Sequence, residues 1–97
     1  MTRQDAIFHL RQQLPRLRTR GITGVSLVGD SARGAADELE ILLDIDLDAH
    51  PEFDLIALAA VQRHLEGELR VPVHAFVEQG MRSDARERLV RDAVPIL

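Results

Sequence analysis

The sequence predicts a small α+β domain, a mixed sheet of about three strands packed with about four helices. Apolar residues recur at helical spacing near the start, over residues 55–69 and near the end, while residues 38–48 alternate with period two. Gly and Pro fall between these segments, where the chain must turn. Ninety-seven residues, with no internal repeat or low-complexity stretch, give one domain over 1–97 with a single modest core.

From Thr2 to Arg18, Ile7, Leu10, Leu14 and Leu17 lie three and four apart and so share one helical face. Thr2 followed by Asp5 reads as a capping box, Pro15 should kink or interrupt the helix, and Gly21 should close it. Val25 to Val28 reads as a short strand. In Glu38 to Asp48, Leu39, Ile41, Leu43, Ile45 and Leu47 alternate with Glu38, Glu40, Leu42, Asp44 and Asp46. That pattern favours a half-buried strand over the competing helix from Ala35 to Leu43. Pro51 suits the first turn of a helix over residues 52–69, with Leu55, Leu58, Val61, Leu65 and Leu69 inward. Pro72 bars continuation, Val73 to Val77 makes a third strand, and Ser83 to Val94 a last helix with Leu89, Val90 and Ala93 inward, stopped by Pro95.

Composition narrows the function classes. With 45% hydrophobic and 29% charged residues the chain is neither disordered nor collagen-like. Aromatic residues make up 3%, all of them Phe, which removes base-stacking platforms, and a net charge of −4 disfavours direct nucleic-acid binding. There is no cysteine, hence no disulfide, thiolate zinc site or cysteine nucleophile. Met1 to Leu10 lacks the apolar core of a signal peptide, and no apolar run approaches the ~20 residues that span a bilayer. The expectation is a cytoplasmic protein without a membrane partner. Most arginines lie in the first twenty residues and between Arg82 and Arg91, whereas acids crowd the middle, where a cation would bind.

Gly29-Asp30-Ser31-Ala32-Arg33-Gly34 leaves the first strand as a glycine-rich turn and runs into that acidic segment. Such a turn brings backbone N–H groups against a phosphate, and an arginine adds charge-assisted hydrogen bonds. Carboxylates nearby could then hold divalent metal. The bland counterparts are an ordinary connection, an Arg33 pairing with Asp37 or Glu38, and a solvated face of an edge strand.

The order of elements, the glycine turn, the acidic strand and the ending Arg86 to Leu97 together resemble the minimal nucleotidyltransferases (MNT), small relatives of the DNA polymerase beta fold, over nearly the whole chain. The family phrase is G-S-x-A-R-G, then S-D-x-D, then a third Asp on a later strand. The resemblance implies ATP on the glycine turn, held here by Gly29, Asp30, Ser31, Arg33 and Gly34, and Mg²⁺ on the acids. It also implies an antitoxin role beside a HEPN-domain toxin, in some members with adenylyl transfer onto a tyrosine of that toxin. A homodimer stays open.

Several positions depart from the family. Asp30 stands where it has Ser. Matching Asp37-Glu38-Leu39-Glu40 to S-D-x-D makes Glu38 and Glu40 the metal ligands, with a turn about three residues shorter than usual. Matching Asp44 and Asp46 instead leaves about three residues too many, so the first register is preferred. His74, in Val71-Pro72-Val73-His74, occupies the third catalytic position, where imidazole suits zinc or copper better than magnesium. These changes at Asp30, Glu38, Glu40 and His74 lead us to expect an antitoxin-like protein with weakened or lost adenylyl transfer. The alternative is a non-catalytic module that neutralises or scaffolds a partner.

Overall fold

The computed structural model describes residues 1–34 and 37–97. Its elements run α1 (Arg3–Thr19), β1 (Ile22–Leu27), α2 (Gly29–Arg33), β2 (Leu39–Ile45), α3 (Leu55–Leu69), β3 (Val73–Val77), a 3-10 turn (Glu78–Gly80), α4 (Ser83–Val90) and β4 (Val94–Pro95). The four strands form one sheet in the order β3-β2-β1-β4. β1 is antiparallel to β2 and β4, and β2 is parallel to β3. The α+β class holds, with one strand more than the sequence predicts.

Period two fixes which side of the sheet is dry. Leu39, Ile41, Leu43 and Ile45 of β2, Val25 and Leu27 of β1, and Val73 and Ala75 of β3 join Ala6, Leu10 and Leu17 of α1 and Val61, Leu65 and Leu69 of α3 in one buried cluster. Both long helices therefore cover one face. The opposite face carries Ser26, Glu40, Leu42, Asp44, His74 and Phe76, paired across strands as Ser26 with Leu42, Glu40 with His74, and Leu42 with Phe76. β2 lies between β1 and β3, so its acids are not on an edge strand.

The capping box forms as read: Asp5 N–H donates to Thr2 Oγ1 at 3.1 Å, and Thr2 N–H to Asp5 Oδ2 at 3.2 Å. The Thr2 bonds hold the Asp5 carboxyl below its ordinary range. α1 continues through Pro15 to Thr19. One proline removes a single helical bond, and buried Leu17 anchors the last turn to the core. β1 begins at Ile22, three residues before the predicted Val25, directly after Gly21, whose φ is +92°.

Three further expectations need correction. β2 ends at Ile45, because Asp46 turns away and its Oδ1 accepts from Ala49 N–H at 3.2 Å; Leu47 lies in that turn, exposed. The preference for strand over the competing helix from Ala35 holds from Leu39 on, and residues 35–36 lie outside the described residues. Pro51 belongs to the turn and α3 starts at Leu55, since Asp54 supplies a better cap, its Oδ1 accepting from Ala57 N–H at 2.9 Å. Leu55 consequently sits in the first turn and is 82% exposed. The last helix stops at Val90, because Val94 and Pro95 pair with Leu27 and Ser26 and Ile96 enters the core.

Replacing Asp54 with alanine should remove that cap and cost about 1 kcal/mol. Thermal unfolding would then shift down by roughly 5 °C.

Candidate functional site

Val28 N–H donates to Glu40 C=O at 3.0 Å, extending the β1–β2 ladder one pair beyond Leu27 and Ile41. Gly29 then takes φ +60°, which turns the chain out of the strand at little cost to glycine. Ser31, 1% exposed, donates its hydroxyl hydrogen to Val28 C=O at 2.7 Å and accepts from Glu40 N–H at 3.1 Å. The glycine turn is thus latched to β2 at Glu40, and the Ser31 side chain lies behind it.

This latch decides which acids meet the turn. The Glu40 carboxylate rests on Gly29 so closely that a Cβ there would meet its Cδ at 2.8 Å. Met1, Asp30, Arg33, Gly34, Asp37, Glu38 and Glu40 line an open hollow of about 770 Å³ beside it. Asp44 and Asp46 lie elsewhere. Asp44 accepts from Gln79, whose amide also bridges both backbone groups of Ile45, at 3.2 Å to the N–H and 2.9 Å to the C=O. Asp46 caps its own turn. Glu38 and Glu40 are therefore the acids at the glycine turn.

The charges in the hollow are already partly matched. Arg33 pairs with Asp30 and, at 3.3 Å, with Asp92 from beyond α4; these two carboxylates raise its pKa further. It does not take Asp37 or Glu38, as a local pairing would suggest. His74 Nε2 and Glu38 Oε2 lie 3.0 Å apart on the open face. With one guanidinium against four carboxylates, Asp30, Asp37, Glu38 and Glu40, the hollow favours a cation over an unescorted anion.

The chemistry of a magnesium site asks for oxygen ligands in a near-octahedral cage. Among the described residues no three His, Asp or Glu side chains converge on one point, since Glu38 is engaged by His74 and Glu40 lies on Gly29. As placed, these side chains do not fit a magnesium pair. Two participants escape sequence reading. Asp92 is 59 residues from Arg33, with no local signal to find it. Gln79, which occupies Asp44, follows a strand whose pairing had to be known first.

No protein-family model and no curated protein matches the sequence. Among solved structures, one described as "Structure of putative minimal nucleotidyltransferase" superposes with a TM-score of 0.78 at 27% identity, covering 98% of this chain and 96% of that one. A mutant of the toxin–antitoxin MntA-HpeT, in which two aspartates two positions apart are changed to glutamate, gives 0.72 at 15% identity over 90% of this chain and 71% of that one. The MNT antitoxin complex with a tri-AMPylated Shewanella oneidensis HEPN toxin gives 0.67 at 13% identity, over 90% and 68%. Among the described residues no helix is long and apolar enough to cross a membrane. A mixed four-stranded sheet, a glycine turn latched to an acidic strand and near-complete coverage by a like-sized neighbour give this chain the minimal nucleotidyltransferase fold, and it resembles that family from end to end.

Proposed function

We propose that this domain is the antitoxin-like half of a HEPN/MNT pair, acting in the cytoplasm, which holds its HEPN-type partner by surface contact and carries out ATP- and Mg²⁺-dependent adenylyl transfer weakly or not at all. The Glu40 carboxylate on Gly29 carries this reading. A phosphate oxygen brought to ~4 Å from an uncompensated carboxylate meets repulsion of about 4 kcal/mol at an effective dielectric near 20, close to a thousandfold in affinity. Asp30 adds to that charge and already engages Arg33. The partner class is supported by the neighbours, two of which are toxin–antitoxin structures.

In a residual ATP complex, Gly29, Gly34 and Arg33 would face the phosphates, Glu38 and Glu40 any Mg²⁺, and Ser31 would position the turn from behind. Coexpression with the HEPN-type product of a neighbouring gene tests the proposal. Glu38→Ala and Glu40→Ala should neutralise that product as wild type does, with little labelling from ATP carrying a labelled α-phosphate in Mg²⁺ or Mn²⁺. Loss of neutralisation with the complex still formed would refute a role independent of catalysis.

A further inference from the structure

β3 is the edge of the sheet on one side, and its five residues, Val-His-Ala-Phe-Val, combine high strand propensity with no acid, lysine, arginine or proline. Such an edge is a template for a second strand. In the parallel ladder, Leu39 N–H donates to Pro72 C=O at 2.9 Å, which turns the backbone groups of His74 and Phe76 toward β2 and leaves those of Val73, Ala75 and Val77 pointing outward. The first two of these outward N–H groups nevertheless have partners. Ala75 N–H donates to Gln62 Oε1 at 2.8 Å and Val73 N–H to Glu66 Oε2 at 3.0 Å.

The match is geometric. Gln62 and Glu66 are four apart on α3, a rise of ~6 Å, and two residues of strand advance ~6.6 Å, so one helical face can serve alternate strand amides in register. We infer that Gln62 and Glu66 act as a side-chain edge guard, taking the place of a neighbouring strand and keeping β3 from pairing with the β3 of a second copy of this chain. α3 thus buries the sheet with Val61, Leu65 and Leu69 and closes its edge with Gln62 and Glu66.

The guard can be read in the wild-type chain by amide hydrogen exchange. Val73 and Ala75 should exchange within roughly tenfold of His74 and Phe76, as hydrogen-bonded amides do. Exchange at the rate of an open edge would overturn the inference, whatever any variant does. At a dilution where it is monomeric, the double change Gln62→Leu with Glu66→Leu should speed both amides by about tenfold or more. It should also double the mass measured by light scattering at a concentration where wild type does not change. The exchanged pair Gln62→Glu with Glu66→Gln keeps an acceptor at each place and should retain both properties. A folded leucine variant of unchanged mass and unchanged exchange would show that these side chains guard nothing.

Discussion

Replacing Gly21 with alanine is expected to lower the melting temperature by roughly 15 °C, the equivalent of about 3 kcal/mol in a domain of this size. Two costs combine. At φ +92° an L-residue is strained, and a Cβ would lie 2.6 Å from the His50 ring and 2.9 Å from its Cβ. His50 is poorly placed to retreat. Its N–H donates to Asp46 C=O at 2.9 Å, and Asp46 N–H donates to Gly21 C=O, also at 2.9 Å, so the two turns are tied together. Gly67 provides the control: it sits inside α3 with nothing within 4 Å of a built Cβ. Gly67→Ala should raise stability by about 1 kcal/mol through helix propensity. Differential scanning calorimetry of both variants checks the pair, and equal shifts would contradict the geometry at Gly21.

The largest functional effect should come from introducing together the residues of the pattern that the chain resembles. Asp30→Ser, Glu38→Asp, Glu40→Asp and His74→Asp would release Arg33 from one partner, draw a carboxylate back from Gly29 by one methylene, free residue 38 from imidazole and supply a third oxygen ligand. ATP with Mg²⁺, at a hundredfold over its dissociation constant, would then stabilise the variant by about 2.7 kcal/mol, or roughly 13 °C. Wild type under the same conditions should move little. A shift of equal size in wild type would show that its own residues already bind the nucleotide. Glu40→Asp alone should recover the greatest single part, because Glu40 is the acid resting on the turn.

What could be read from the chain was decided mostly by distance along it. Thr2 and Asp5 satisfy each other within four residues, and Val73 to Val77 is bounded by Pro72, so the first cap and β3 were both legible. β4 was not, because a two-residue strand containing Pro95 exists only through Ser26 and Leu27. Helical spacing counted Leu55 inward, but it could not weigh Asp54 against Pro51 as the start of α3. At the site, the glycine turn and its acids were visible as types. Alternation alone could not say which end of β2 meets the turn. That needed the pairing of Val28 with Glu40, which leaves Asp44 to Gln79 at the far end. Arg33 with Asp92, and Glu38 with His74, join segments that only the folded chain brings side by side.

Ser31 has a consequence for what the connection after Gly34 must do. Its hydroxyl binds Val28 on one side and Glu40 on the other, so that buried oxygen joins the Val28–Glu40 backbone bond in setting the alignment of the turn with the acidic strand. The number of residues between Gly34 and Glu38 is thereby relieved of any duty to measure out the spacing. Residues could be added to or taken from that connection without moving the acids off the turn. The length of a loop, here, is free to vary, while a serine and a backbone pair keep the address.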